Sequence, residues 1–133
     1  MLELEFLTRI LGAGNESKIE IKPLGIVSEG LRVINLLAYF PRIVEIKDMK
    51  GDDYSITVPE PAAYVIQKIL TNPTRNPIEK KIKDIIAVKE LIYHIVQSNE
   101  HKLILSKVYN TLNPKQKIIV NNVCKENDIQ LPL

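Results

Sequence analysis

The sequence predicts an α+β fold, because its two halves follow different hydrophobic periodicities. Up to residue 58, apolar and polar residues alternate in short runs, which is typical of β-strands. From Pro59 onward, apolar residues recur at helical spacing, and prolines stand near the starts of the segments. At 133 residues the chain is long enough for one core. We therefore expect a single domain over residues 1–133, strand-rich at 1–58 and helical at 59–133.

The first segments of the chain alternate in a way that predicts strands. In "MLELEFLTRI", the alternation places Glu3 and Glu5 on one face of a strand and the apolar residues on the other. "LGAGNESK" supplies Gly, Asn and Ser, which favour a loop or hairpin turn. "KIEIK", at 18–22, then predicts a short strand.

A helix and a hairpin are expected next. "SEGLRVINLLAYF" predicts a helix with Ser28 as its N-cap and Pro41 at its end. "RIVEIK", at 42–47, and "YSITV", at 54–58, predict two strands. The intervening "DMKGDD" contains the Gly and Asp residues of a tight turn, so these strands form a predicted β-hairpin.

The second half predicts helices only. "PEPAAYVIQKIL" has prolines where a helix tolerates them, and its apolar stripe consists of Ala62, Val65, Ile66 and Ile69. A long helix is expected from about Ile78 to Gln97, and shorter ones around Lys102–Tyr109 and Lys115–Glu126. The fold class is thus a short N-terminal strand and a β-hairpin with one helix, followed by a bundle of about four helices.

The long helix carries a broad apolar arc, wide enough to predict contact with two neighbouring elements. The arc consists of Ile78, Ile82, Ile85, Val88, Ile92, Ile95 and Val96. Asp84 lies at its margin, and a partly buried carboxylate there needs a cationic or hydrogen-bonding partner. The nearby candidates are Lys68, Arg75, Lys80 and Lys81. We favour a structural ion pair between helices, and a ligand-facing role is the alternative.

Composition and charge exclude several classes of protein but do not indicate an activity. The formal charge of +2 is close to balance and aromatic residues are few, so nucleic-acid binding is not expected. The single cysteine, Cys124, excludes an intramolecular disulfide, and its apolar stripe predicts a buried, inert thiol. No leader and no membrane span are predicted, which favours a cytoplasmic protein.

Three stretches resemble the C-terminal half of minimal prokaryotic nucleotidyltransferase-like proteins, within the polymerase-β-like superfamily. "LELEFLT" is similar to the strand that bears the family's third catalytic carboxylate. "GIVSEGLRVINLLAYFPRIVEI" resembles the middle helix and hairpin, and "VPEPAAYVIQKILTNPTRNPIEKKIKDIIAVKELI" resembles the helical half. The resemblance covers nearly all of the chain up to about residue 98, with the segments in the same order.

The resemblance implies particular site residues. By position, Glu5 is the third catalytic carboxylate and a Mg²⁺ ligand, and Glu3 neighbours it on the same face. The polar positions of the family's helical half fall on Lys68, Arg75, Lys83 and Asp84, where cations would contact a nucleoside triphosphate or the acceptor.

The chain departs from the family in one respect that bears on activity. The family's Gly-Ser turn and Asp-x-Asp pair, which hold Mg²⁺ and the triphosphate upstream of the third carboxylate, do not occur in this sequence. We therefore expect a nucleotidyltransferase-like domain that is inactive alone and works with a partner chain supplying that segment. The alternative is a non-catalytic module that binds a partner protein or forms a homo-oligomer.

Overall fold

The computed structural model describes residues 7–9, 18–21, 26–31 and 35–133. The predicted catalytic residues Glu3 and Glu5 lie outside the described residues. The chain divides into two compact units, Met1–Asn35 and Leu36–Leu133. The expectation of a single domain over residues 1–133 stays a prediction.

The first unit contains a three-stranded mixed sheet. Its strands are β1 (Leu7–Arg9), β2 (Lys18–Ile21) and β3 (Ile26–Leu31), in the order β1-β3-β2. β3 is parallel to β1 and antiparallel to β2. The strand predicted at 18–22 is therefore confirmed as β2.

The helix predicted to begin at Ser28 is wrong over its first part. Ser28 lies inside β3, and the helix that follows, α1, spans only Asn35–Tyr39. Two properties of the segment favour the strand: Ile26 and Val27 are β-branched, and Gly30 has a low helix propensity. Hydrogen bonds to strands on both sides then stabilise it as the central strand, which outweighs the capping preference of Ser28.

The second unit contains the predicted β-hairpin, which is confirmed. β4 (Pro41–Lys47) pairs antiparallel with β5 (Asp53–Pro59). In the turn, Asp48 Oδ1 accepts hydrogen bonds from the backbone N–H groups of Lys50 at 2.8 Å and Asp52 at 2.9 Å. Gly51 has a φ of 90°, a value that glycine adopts without a steric cost. The Asp and Gly residues of "DMKGDD", which predicted a tight turn, therefore stabilise the turn that is observed.

Four α-helices follow the hairpin, so the α+β fold class is confirmed. They are α2 (Pro61–Thr71), α3 (Ile78–Ile95), α4 (Asn99–Asn110) and α5 (Pro114–Glu126), with a 3₁₀ turn at Asn72–Thr74. α2 is the centre of the bundle, because it contacts α3, α4 and α5. The predicted apolar stripe of α2 is buried: Ala62, Val65, Ile66 and Ile69 are each 0% exposed.

Only part of the predicted apolar arc of α3 is buried. Ile85, Val88 and Ile95 lie in the core, on the side that faces α2. Ile78 and Ile82 are more than half exposed. α3 also contacts α4, so the predicted contact with two neighbouring elements is confirmed.

Candidate functional site

Three of the six predicted site residues meet where α2, the 3₁₀ turn and α3 join. Lys68 lies in the last turn of α2, Arg75 follows the 3₁₀ turn, and Asp84 lies in the second turn of α3. The turn reverses the chain after α2, because Pro73 fixes its φ within the turn and Pro77 precedes the first residue of α3. Side chains from both helices and from their connection therefore converge.

One buried carboxylate holds two cations at this point. The Nζ atom of Lys68 donates to Asp84 Oδ1 at 2.8 Å, and the Nε atom of Arg75 lies 3.1 Å from Asp84 Oδ2. The second contact is an ion pair without a hydrogen bond, because within the described residues Asp84 Oδ2 and Arg75 Nε have no hydrogen-bond partner. Asp84 is 6% exposed, so this carboxylate is buried. Its contacts with Lys68 and Arg75 are the structural ion pair that we favoured.

Neighbouring groups hold the ends of the turn in place. Asn72 donates from Nδ2 to the carbonyl oxygen of Lys81 at 3.1 Å, and Lys81 donates from Nζ to the carbonyl oxygen of Pro73 at 3.0 Å. The ammonium of Lys68 also lies 5.3 Å from the ring centroid of Tyr64, a cation–π distance. We call Lys68, Arg75, Lys81 and Asp84 the turn cluster; it contains three cations and one carboxylate.

The two cations of the ion pairs differ in exposure. The side chain of Lys68 is 17% exposed, whereas that of Arg75 is 36% exposed. Arg75 faces Asp84 through Nε, and within the described part of the chain the terminal nitrogens of its guanidinium form no ion pair, so they can contact a ligand. The arrangement can present a positively charged, preoriented guanidinium to an anion such as a phosphate.

Lys83, the other residue predicted to bind substrate, is exposed on α3, and among the described residues its side chain forms no hydrogen bond or ion pair with the turn cluster. A groove of about 450 Å³ lies beside the cluster, between the start of α3 and the end of α5. Asn72 and Lys81 line the groove on the side of the cluster, and Ile78 and Ile82 form part of its apolar wall.

A second charged group was not predicted from the sequence. Arg42 Nη1 lies 3.2 Å from His101 Nε2 and 3.9 Å from Glu60 Oε1. Glu60 is 7% exposed and stands at the N-cap of α2, where the helix dipole favours a negative charge. The position of Glu60 just before Pro61 was a usable signal for a helix start. Nothing in the spacing of Arg42 and His101 indicated that they meet.

The described residues do not form a metal site. Among them, no group of three or more His, Cys, Asp or Glu side chains is placed to hold a metal ion. Glu5, the predicted Mg²⁺ ligand, lies outside the described residues.

Comparisons with protein-family models, with curated proteins and with solved structures find no match for this chain. No helix in the described part of the chain combines the length and the apolar character needed to cross a membrane.

Proposed function

We propose that this chain is the C-terminal, nucleotide-contacting part of a nucleotidyltransferase-like protein. The observation that supports it best is the convergence of Lys68 and Arg75 on the buried carboxylate of Asp84. The family resemblance assigns these same three positions to polar roles, and they come from two helices and a loop. Their convergence is what a ligand-contacting cluster requires, although a structural ion pair would also bring them together.

The charge of the turn cluster suits phosphate. Two cations, Lys68 and Arg75, pair with one carboxylate, and Lys81 binds the carbonyl oxygen of Pro73 in the same turn, so the turn cluster carries a net positive charge. A guanidinium binds phosphate oxygens through two parallel hydrogen bonds, which a lysine ammonium cannot do. In this proposal Asp84 orients Arg75 and Lys68, and Arg75 contacts the triphosphate.

In the complete enzyme, a hydroxyl of the acceptor attacks the α-phosphorus and pyrophosphate leaves. Mg²⁺ supplies charge neutralisation for the triphosphate when it is bound. Glu5 would be its ligand from this chain, together with an Asp-x-Asp pair from a partner chain. The turn cluster has a separate role, which is to hold the phosphates in position before the reaction.

Calorimetry with ATP and Mg²⁺ tests the proposal on the isolated chain. We expect weak binding, with a dissociation constant on the order of 1 mM, because only the phosphate contacts of this half are present. Arg75→Gln is expected to weaken binding at least about fivefold, since it removes a charge-assisted contact.

The matched control is Lys115→Gln, which removes an exposed cation at the start of α5, outside the turn cluster. An equal loss of ATP affinity in the two variants would show that ATP binding depends only on the net charge of the chain, and would contradict the proposal. Absence of binding heat at about 10 mM ATP would contradict it as well.

A further inference from the structure

Beside its buried side, α3 carries an exposed apolar stripe. Its five residues are Ile78 at 65%, Ile82 at 55%, Ile86 at 53%, Tyr93 at 66% and Val96 at 38% exposure. At about 100° per residue, these five positions lie within about 80° of one another around the helix. We call them the α3 stripe. It follows α3 over its full length, and Lys89 is the polar residue within it.

A row of exposed apolar residues along a whole helix differs from the isolated apolar residues found on most protein surfaces. Single exposed apolar residues are normal, but a contiguous row on one helix marks an interaction surface. The buried side of the same helix, with Val88 and Ile95, already packs in the core. The stripe therefore remains as a second apolar face of the same helix.

The charges beside the stripe indicate which partner fits. Glu79, Lys83, Glu90 and His94 all flank it on the same side. In an antiparallel, two-fold pair of helices, the same flank of each helix meets. A register that sets Glu79 opposite the partner's His94 also sets Lys83 opposite the partner's Glu90. Both pairs form in the same register because Glu79 and Lys83 are four residues apart, as are Glu90 and His94. The two-fold axis repeats each pair, so each occurs twice in the dimer.

The same register interleaves the apolar residues. Ile82 falls between the partner's Lys89 and the partner's Tyr93, and Ile78 falls between the partner's Tyr93 and the partner's Val96. The groove of about 450 Å³ beside Ile78 and Ile82 has room for an aromatic ring at this point. The stem of Lys89 can lie along the apolar surface while its ammonium stays in water.

From the exposed stripe and its complementary flank we propose that a second copy of this chain binds α3, antiparallel, about a two-fold axis. The proposal goes beyond the nucleotide-contacting role, because it uses the outer surface of α3 and none of the ion pairs of Asp84.

Sedimentation of the purified full chain over a range of concentrations tests the proposal. We expect a monomer–dimer equilibrium with dimer dominant at about 200 µM. Ile82→Glu puts a charge from each copy into the apolar contact, so this variant is expected to remain monomeric at every concentration. Leu103→Glu is the matched control, because Leu103 is 65% exposed on α4 and lies outside the stripe.

Charge reversal tests the register separately from folding. Lys83→Glu and Glu90→Lys are each expected to raise the dimer dissociation constant about tenfold, because each sets like charges opposite one another twice. The double variant restores both pairs and is expected to return to within about threefold of the original chain. A monomeric original chain at about 200 µM, dissociation by Leu103→Glu, or a double variant no better than the single ones would each overturn the proposal.

Discussion

The ion pairs of Asp84 connect α3 to α2 and to the segment between the two helices. The carboxylate of Asp84 is buried, and it is compensated by Lys68 on α2 and Arg75 on the connection. A buried charge that loses its partner is strongly unfavourable, so all three residues depend on one another. The same dependence orients Arg75, which is the half-exposed member that we assign to phosphate.

Replacing Asp84 therefore has a larger effect than replacing an exposed carboxylate with the same contact distance. Asp84→Asn leaves the ammonium of Lys68 and the guanidinium of Arg75 uncompensated, and we expect the free energy of unfolding to fall by about 2 kcal/mol. The matched control is Asp53→Asn, because Asp53 also lies 2.8 Å from a lysine, Lys47, but in the exposed hairpin. It should lose at most about 0.5 kcal/mol.

Urea denaturation of both variants measures these values. A loss for Asp84→Asn no greater than that for Asp53→Asn would contradict the role of burial in this ion pair.

Cys124 is the only cysteine of the chain, so its reactivity can be followed directly. It is 8% exposed on α5, and burial raises the pKa of its thiol to about 11 from the usual 9.0. The thiolate is the reactive form, so at pH 8 the native protein should react with a disulfide reagent at least about 100-fold more slowly than the unfolded chain.

The pH dependence of this rate has a defined sign. In the native protein the rate should keep rising up to about pH 11, whereas in unfolded chain it should level off near pH 9. Absorbance of the released thiol measures both rates. Equal rates at pH 8 in native and unfolded protein would show that the thiol is not protected by burial.

Among the elements, α5 has the most completely capped start. Asn113 Oδ1 accepts from the backbone N–H of Gln116 at 2.9 Å, and Gln116 Oε1 accepts from the backbone N–H of Asn113 at 3.0 Å. This is a capping box, and Pro114 adds the fixed φ that suits the first turn. The pair Asn113-Pro114 predicted the start of this helix, and the local hydrogen bonds explain why it could.

Removing the N-cap of α5 should lower the stability of the protein measurably. Asn113→Ala leaves the Gln116 N–H without its side-chain acceptor, and we expect a loss of about 1 kcal/mol in the free energy of unfolding. Asn113→Ser keeps an acceptor and should retain most of the stability. Asn122→Ala is the control, since Asn122 is exposed inside α5, where alanine is the better helix former. Thermal unfolding of the three variants compares them, and a loss for Asn122→Ala equal to that for Asn113→Ala would refute the cap's contribution.

For the molecule as a whole, the proposed function requires the Gly-Ser turn and the Asp-x-Asp pair that the family resemblance implies. If a segment with the Gly-Ser turn and the Asp-x-Asp pair is encoded beside this chain, mixing the two proteins should produce nucleotide transfer that neither shows alone. In the mixture, Glu5→Gln should lower kcat at least about 100-fold, because it removes the proposed Mg²⁺ ligand.

Glu3→Gln is the matched change, because the alternation of the first segment places Glu3 on the same strand face, and it should cost less. Transfer of radiolabelled nucleotide from a nucleoside triphosphate measures both. Full activity of the Glu5→Gln mixture would remove Glu5 from the metal site.

Local residue patterns were sufficient for much of the fold. The prolines and apolar spacing of α2, the turn residues of "DMKGDD" and the cap of α5 act within a few residues, so the sequence predicts these elements from local chemistry. The partial burial of Asp84 and its candidate partners followed from its place at the edge of the apolar arc. The helix at Ser28 was wrong because pairing with two other strands, not local propensity, sets the structure there.

Contacts between distant parts of the chain determine the features that local patterns did not predict. Which cations reach Asp84 depends on the turn that brings Arg75 back, and Lys83 points elsewhere although it is the neighbour of Asp84. Arg42 and His101 meet only because the hairpin and α4 lie close together. The same holds for α3: its apolar arc is visible in the sequence, but only packing against its neighbours, chiefly α2, selects which part of the arc is buried and which part stays exposed.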